Sequence, residues 1–339
     1  MKPVVKSAHA LKLPAPRLAV WAFMFLSLIF YGVFYKYNLY FQEQLQLFLL
    51  TGDYFLESIQ TPGGFSGYLG EFFTQFYHLP FAGAVIITLL LVVLQQFVGR
   101  LMNVIRPKRQ NYLWAFVPSV WYAMVLSNEL YLLSGLVGLV ISTGLASFTI
   151  SVQNNFLRRL LGFAGILVVY FLTGGSYFLF ALSVLVYELW TASRQTDFSK
   201  KRTTFFLVSI VFAGAVLLLP FLVKRILWMV PHQQAYFSEH YYKISTAIPL
   251  GALVVWLGVP ALMVLLKFSK ERSVEKKSWL SVVLPVAFLS VVALGGFKLF
   301  ASMSSERTKA FDYFVRQKKW DQVIRLAEKD YPRNPFTVS

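Results

Sequence analysis

The chain of 339 residues contains no cysteine and only 15 acidic residues. Without cysteine, disulfide bonds, thiolate metal sites and thiol nucleophiles are all excluded. The few carboxylates stand against 32 lysines and arginines, which gives a formal net charge of +17. Charge of either sign is also absent from whole stretches, such as Phe81 to Val98. Acid–base or metal chemistry is therefore restricted to a small number of carboxylates and four histidines.

Long apolar runs occupy the stretches that lack charge. Hydrophobic residues make up 57% of the chain, and the mean hydropathy is +0.59. A bilayer core of about 30 Å requires about 20 apolar residues per helix. The sequence therefore predicts an all-α, polytopic transmembrane bundle of about nine spans. These lie near residues 18–36, 81–99, 112–127, 130–150, 158–173, 176–192, 205–223, 246–267 and 279–302.

Basic residues mark alternate loops and predict the orientation of the bundle. Loops rich in lysine and arginine stay in the cytoplasm, so we expect the N-terminus inside and the C-terminus outside, in a bacterial inner membrane. Residues 1–17 then form a basic cytoplasmic segment, and residues 18–303 form the transmembrane domain. The first span lacks a small-residue cleavage site and is predicted to be a retained anchor. Because topology explains the positive charge, we do not expect nucleic-acid binding.

Two central hairpins, residues 112–150 and 158–192, have mostly short arms. Sixteen residues rise about 24 Å, less than the thickness of the bilayer core. Short, glycine-interrupted pairs of this kind often line cavities, but two ordinary tight hairpins are the favoured interpretation. Glu188, next to Trp190, is expected to reach the membrane interface. No chain of intramembrane charges is evident, which disfavours a proton-coupled transporter.

The longest non-basic loop, residues 37–80, follows the first span, and we call it the first outer loop. Its pattern predicts two interfacial helices that meet at Pro62-Gly63-Gly64. The first of these helices places five apolar residues on one face and three acids on the other, at 100° per residue. The apolar residues are Phe41, Leu45, Phe48, Phe55 and Ile59, and the acids are Glu43, Asp53 and Glu57.

Carboxylates beside a membrane can hold a cation against a lipid phosphate or accept a proton from an attacking hydroxyl. Asp53 and Glu57, four residues apart, would share one such site, whereas Glu43 would need a partner from another element. We therefore predict Glu43 and Asp53 as catalytic residues and Glu57 as a substrate-binding residue. The alternative is that all three solvate the outer face. Glu71 and His78 make an incomplete metal site, so no metal site and no cofactor are predicted.

A second outer loop, residues 224–246, combines cations with aromatic residues. Lys224 and Arg225 would meet a lipid-linked phosphate while the rings pack on the attached isoprenoid or sugar. His232 and His240 are predicted as further substrate-binding residues in the same loop. An aromatic belt at the membrane surface is the alternative interpretation.

The composition changes after Met303, where a charged, soluble segment begins. Residues 304–339 predict two amphipathic helices on either side of Gln317, Lys318 and Lys319, closed by Tyr331 to Pro335. This is the outline of a tetratricopeptide repeat, which cannot bury its apolar face alone. We expect either a piece of a longer outer repeat array, cut short at Ser339, or a short hairpin that docks on the membrane domain.

The chain resembles an uncharacterised bacterial family of polytopic inner-membrane proteins with a tetratricopeptide-like C-terminal part. The resemblance is carried by Glu43-Gln44-Leu45-Gln46-Leu47-Phe48, Asp53-Tyr54-Phe55, Pro62-Gly63-Gly64, Tyr68-Leu69, Gln75-Phe76-Tyr77, Trp320-Asp321 and Asn334-Pro335. In architecture it is more distantly similar to C-type glycosyltransferases. That resemblance implies transfer of a sugar from a polyprenyl-phosphate donor at the outer face, with Asp53 or Glu43 as base or metal ligand. The chain departs from the pattern because its first outer loop has no Asp-x-Asp pair.

The competing hypothesis is a non-catalytic membrane scaffold that presents outer helical repeats to a partner protein. The expected partners are thus the lipid bilayer, with either a polyprenyl-phosphate-linked substrate or a protein bound through the C-terminal repeat. An enzyme predicts a hydrophilic cavity that joins Glu43, Asp53 and the second outer loop. A scaffold predicts that these carboxylates face bulk water.

Overall fold

The computed structural model describes residues 15–105, 107, 111–194, 198–226, 231–237, 240–244, 247–268 and 280–329. Within these ranges every regular element is helical, and the β-type contact is an isolated bridge between Tyr131 and Tyr242. The predicted all-α class is therefore confirmed. The α-helices are α1 (Ala15–Ile29), α2 (Lys36–Gln44), α3 (Gly52–Ile59), α4 (Gly64–Thr74), α5 (Ala82–Ile105), α6 (Asn111–Trp114), α7 (Phe116–Val125), α8 (Leu133–Ser151), α9 (Asn155–Thr173), α10 (Tyr177–Ser193), α11 (Phe198–Ile226), α12 (His232–Phe237), α13 (Leu250–Phe268), α14 (Leu280–Phe300), α15 (Met303–Arg316) and α16 (Trp320–Lys329).

Five helical stretches of the described chain are long and apolar enough to cross a membrane, and a sixth is obtained if α14 and α15 are taken together. The axes of α14 and α15 are bent by 56° relative to each other, and α13 contains a shorter apolar stretch. The chain is thus a helical bundle with five to six candidate spans. The finer prediction of nine spans and their orientation stays a prediction. The five stretches are Arg17–Phe34, Ala82–Ile105, Leu133–Ser151, Asn155–Ser193 and Arg202–Arg225.

The outward faces of these helices are apolar. On α11, for example, Phe206, Leu217 and Leu218 are each more than half exposed. A helix that is apolar on its exposed side as well as its buried side is typical of a membrane span. The outward faces therefore indicate a lipid environment.

Helix α8 lies at the centre and packs against α4, α5, α9 and α10. Small residues allow these helices to approach closely. A Cβ atom added to Gly70 of α4 would lie 2.6 Å from the backbone of Ser134 on α8. Gly138 of α8 leaves room in the same way for the buried ring of Tyr241. The centre of the bundle therefore depends on the absence of side chains at these positions.

The first outer loop contains three α-helices, followed by a short 3-10 helix at Gln75–His78. The predicted continuous helix over residues 41–59 is wrong, because α2 ends at Gln44 and α3 begins only at Gly52. The Thr51 hydroxyl accepts a hydrogen bond from the Tyr54 amide at 3.3 Å and so caps α3. This cap is a local signal that apolar periodicity does not contain.

The corner between α3 and α4 is confirmed at the Pro-Gly-Gly motif. Gly63 has φ = 82°, a left-handed conformation that glycine adopts without strain. Its amide donates to the carbonyl of Phe171 on α9 at 2.9 Å. The corner is thereby fixed to one end of the α9–α10 hairpin.

Glu188, which was expected to extend to the membrane interface, is buried within the protein. The residue is 1% exposed, and its carboxylate accepts hydrogen bonds from Arg158 Nε at 2.6 Å and Arg159 Nε at 2.9 Å. A buried charge requires close, hydrogen-bonded partners. The two arginines at the start of α9 supply these partners.

Replacing Gly70 with alanine should destabilise the bundle, because the new Cβ atom would force α4 away from the Ser134 backbone. Overpacking of this kind costs on the order of 1–3 kcal/mol. Thermal unfolding of the detergent-solubilised protein, followed by tryptophan fluorescence, would measure the loss.

Gly214→Ala is the matched control, because an added Cβ on Gly214 of α11 has no atom within 4 Å. Alanine favours a helix interior by about 1 kcal/mol over glycine, so its unfolding temperature should stay equal or rise. Equal losses in the two variants would contradict the packing argument.

Candidate functional site

A buried carboxylate of the C-terminal hairpin caps the first helix of the first outer loop. Glu306 of α15 accepts the Tyr37 amide at 2.7 Å through Oε1 and the Asn38 amide at 2.9 Å through Oε2. Amides in the first turn of a helix have no acceptor within that helix. The positive end of the helix dipole also favours an anion there. Glu306 therefore supplies to α2 the cap that its own sequence lacks.

Lys309 lies one turn further along α15 and connects three parts of the protein. Its ammonium group is 2.6 Å from Asn38 Oδ1 and 2.7 Å from Glu129 Oε2. Glu129 belongs to the turn between α7 and α8. The Lys309 side chain is only 8% exposed, whereas that of Glu129 is 41% exposed, so water screens this ion pair from the Glu129 side. We call the set Tyr37, Asn38, Glu129, Glu306 and Lys309 the outer junction.

Aromatic side chains extend the contact between α2 and α15. The Tyr37 ring lies 5.5 Å from the rings of both Tyr313 and Phe314, and Tyr40 stacks on Tyr313 at 5.1 Å. Ring pairs at these distances stabilise a contact beyond the apolar area that they bury. Helix α15, the first helix of the C-terminal hairpin, thus packs on α2. The longer repeat array expected for residues 304–339 stays a prediction.

The second outer loop also reaches this region. The amide of Lys243 donates to the Leu130 carbonyl at 2.9 Å, and its ammonium group lies 5.8 Å from the centroid of the Phe41 ring. The Lys309 ammonium group lies 5.2 Å from the same ring. Partial burial lowers the pKa of Lys243, Lys309 lowers it further, and Glu129 opposes the shift. Two cations thus share one aromatic ring and one carboxylate.

His240 is the predicted site residue that contacts the other outer loop. Its Nε2 atom is 3.0 Å from Thr61 Oγ1, a hydrogen-bonding distance. Its ring also packs against Gly67 of α4, where an added Cβ would lie 2.9 Å from Nδ1. The contact fixes the second outer loop beside the Pro-Gly-Gly corner.

The remaining predicted site residues lie on four helices, α2, α3, α11 and α12. Glu43 is half-buried near the end of α2, and Lys224 is half-buried near the end of α11. No group of three or more histidine, aspartate or glutamate side chains in the described part of the chain is arranged to hold a metal ion. The exposed members of the predicted set are Asp53, Glu57, Arg225 and His232.

Glu71 has a structural partner within the first outer loop. The Tyr54 hydroxyl of α3 donates a hydrogen bond to the Glu71 carboxylate of α4. Burial raises the pKa of Glu71, against the effect of this hydrogen bond. The pair holds α3 against α4.

Sequence reasoning missed the outer junction. Glu306 and Lys309 share a helix face with Ala310, and all three are buried. In sequence, charges one turn apart on an amphipathic helix are typical of a solvated face, so their pattern alone gave no signal. The partners of Glu306 lie 269 and 268 residues earlier in the chain.

Comparison with known proteins gives a family but no activity. A family model described as a family of unknown function (DUF6057) matches residues 12–339. The chain belongs to this family. Because the match extends over both outer loops and the C-terminal hairpin, every residue of the outer junction lies within the region that defines DUF6057. The searches of curated proteins and of solved structures gave no match.

We expect docking of the hairpin to weaken as the pH rises through about 7. Burial raises the pKa of Glu306 from 4.5 to about 7, while the Tyr37 and Asn38 amides, Lys309 and Lys36 oppose the shift. The docked state therefore binds the proton more tightly than the undocked state, so its extra stability is complete below pH 4.5 and is lost above about 7. The difference amounts to about 3 kcal/mol at most.

Spin labels on Leu47→Cys and Lys319→Cys would report docking, since the chain has no cysteine of its own. The distance distribution should be narrower at pH 5.5 than at pH 8.5. Glu306→Gln removes the titrating group and should abolish this dependence. Asp312→Asn, at an exposed residue paired with Arg316, should keep it. A wild-type distribution that does not change with pH would refute the expectation.

Proposed function

We propose that this protein is a membrane scaffold that fixes a helical hairpin at the outer face and presents α16 to a partner protein. The supporting observation is the contrast between the two helices of the hairpin. Helix α15 is held by buried charges, whereas α16 has an open apolar face. The protein lies in a bacterial inner membrane, with the hairpin on the periplasmic side.

The outer junction fixes the position of α15 relative to α2 and the α7–α8 turn. The Lys309 ammonium group is buried and is held by Glu129 and by Asn38 Oδ1, which satisfy a charge that is costly to bury alone. Lys309 pairs with Glu129, and Glu306 satisfies two backbone amides of α2. Arg316 adds a hydrogen bond to Gln44 at 2.7 Å. Because α15 is held in this way, α16 is presented at a fixed angle to the membrane domain.

Helix α16 has the composition of a docking surface for another helix. Trp320 and Ile324 are 57% and 56% exposed, and Val323 and Ala327 lie on the same stripe at helical spacing. An apolar stripe on a helix is usually buried against a second helix, as in the stacked hairpins of tetratricopeptide-like arrays. The partner that we propose is an amphipathic helix of another protein.

Two of the three acidic residues have the positions that this function requires. Asp53 and Glu57 are exposed on α3, whereas Glu43 is half-buried on α2. Carboxylates that face water were expected of a scaffold, whereas an enzyme requires them to be desolvated and to converge.

A photoreactive amino acid placed at Trp320 or Ile324 should form a discrete adduct with a partner helix in intact cells. The same residue at Gln322, which is exposed on the opposite side of α16, should not. Mass spectrometry of the adduct would identify the attached peptide. Equal labelling from all three positions, or attachment only to this chain itself, would contradict the proposed surface.

A second candidate function is transfer of a sugar from a polyprenyl-phosphate donor. It is favoured by the contact between His240 and Thr61, which brings the second outer loop beside the first. In this scheme the half-buried Glu43 acts as the base. Lys224 and Arg225 then face the donor phosphate.

Glu43→Gln should then abolish sugar transfer by the protein in nanodiscs supplied with a radiolabelled polyprenyl-phosphate sugar. The amide keeps the shape of the side chain but does not accept the proton. Glu328→Gln, at an exposed residue of α16, should transfer at the wild-type rate. Transfer that persists in the Glu43 variant would reject this candidate.

A further inference from the structure

Arginines and aromatic rings form a continuous chain of contacts at the end of the bundle away from the outer junction. The Pro-Gly-Gly corner contacts α9 at Phe171. The start of α9, at Asn155, lies about 24 Å further along the helix axis. There the Arg158 guanidinium lies over the Tyr187 ring, Tyr187 contacts Trp190, and Arg194 lies 3.9 Å over the Trp190 ring.

Arg158 is fully engaged within the protein. Its side chain is 3% exposed, and its Nε atom donates to Glu188 Oε1 at 2.6 Å. One terminal nitrogen donates to the Val152 carbonyl at 3.3 Å, and the other donates to Asn155 Oδ1 at 2.8 Å. With every nitrogen occupied, Arg158 has a structural role.

Arg159 differs from its neighbour. Its Nε atom donates to Glu188 Oε2 at 2.9 Å, and its side chain is 35% exposed. Its two terminal nitrogens make no hydrogen bond within the described ranges. Glu188 thus holds this guanidinium by one edge and leaves a pair of donors open. Such a planar pair of N–H groups matches two oxygens of a phosphate.

The charge of this region favours an anion. Arg158, Arg159 and Arg194 carry three positive charges, and Glu188 carries one negative charge. Arg194 is exposed, and its guanidinium lies over the Trp190 ring. Two positive charges therefore remain uncompensated among these side chains.

The surface beside Arg159 is apolar and points to an amphiphilic ligand. Phe156 is 77% exposed and Leu160 is 52% exposed, and they lie three residues before and one residue after Arg159 on α9. Asn154 Oδ1 already accepts the amides of Phe156 and Leu157, so the helix end itself is capped. An anion at this end of α9 would therefore bind to the arginine side chains and not to these two backbone amides.

We propose that Arg159 binds the phosphate of an anionic phospholipid whose acyl chains lie against Phe156 and Leu160, and that Arg194 adds positive charge to the same end of the bundle. Glu188 acts as a positioning residue because it fixes Arg159 through Nε. Basic residues at the membrane surface attract anionic headgroups in general. Here the ion pair and the stacked ring hold two of them in defined orientations.

Native mass spectrometry of the delipidated protein, with phosphatidylglycerol or phosphatidylcholine of the same acyl composition, tests the site. We expect wild type to retain phosphatidylglycerol preferentially. Arg159→Gln with Arg194→Gln should lower that retention by about tenfold or more, because the charged hydrogen bonds to the phosphate are lost. Arg194→Gln alone leaves the Glu188 ion pairs intact and should show a partial loss, which keeps the test valid if the double variant unfolds.

The matched control is Arg17→Gln with Arg100→Gln, which removes the same charge. Arg100 also lies over an aromatic ring, that of Phe97 at 5.4 Å. Retention by this control should equal that of wild type. Equal retention by wild type and by Arg194→Gln, or an equal loss in the control, would overturn the proposal. Displacement of phosphatidylglycerol by millimolar inorganic phosphate would show that the site takes free phosphate and would overturn the assignment to a lipid.

Discussion

The carboxylate of Glu306 at the start of α2 is the contact on which the outer half of the structure depends. A helix that begins without a capping side chain leaves amides that need an acceptor. Tyr35 precedes α2 and provides no such acceptor. The C-terminal hairpin supplies it, and in doing so places Lys309 between Asn38 and Glu129. One missing local cap is thus satisfied by a long-range contact that ties the first outer loop, the α7–α8 turn and α15 together.

The opposite end of the bundle uses charge in a related way. Glu188 is buried and would be strongly destabilising alone. Two consecutive arginines of α9 satisfy it, so that α9 and α10 are joined at that end. At both ends, therefore, a buried carboxylate connects two helices through directional hydrogen bonds: Glu306 connects α15 to α2, and Glu188 connects α10 to α9. Lipid-facing side chains are interchangeable in a way that these paired charges are not.

Local signals in the sequence predicted local structure well. The Pro-Gly-Gly corner is where α3 and α4 meet, because few residues other than glycine adopt φ = 82°. The polar turn at Gln317 to Lys319 separates α15 from α16, as the apolar spacing on either side indicated. The spacing of apolar residues predicted one helix through Leu45 to Thr51. That prediction was wrong, because α2 ends before this segment and Thr51 caps a new helix.

The candidate sites show the limit of the same reasoning. His240 was singled out in a loop, yet its partner, Thr61, lies 179 residues away. The outer junction and the burial of Glu188 depend on pairings that no spacing rule contains. A charged residue on an amphipathic helix has the same pattern whether it faces water or a buried partner. What distinguishes the two is the tertiary fold, which brings a complementary group within 3 Å.

The distance in sequence between Asn38 and Glu306, 268 residues, has a consequence for biogenesis. As the polypeptide leaves the ribosome, α2 is made long before the helix that supplies its acceptor. Contacts of such high sequence separation form late, because the intervening chain must be ordered first. The outer junction is therefore completed only after α15 has been synthesised, and until then the first amides of α2 depend on water for an acceptor.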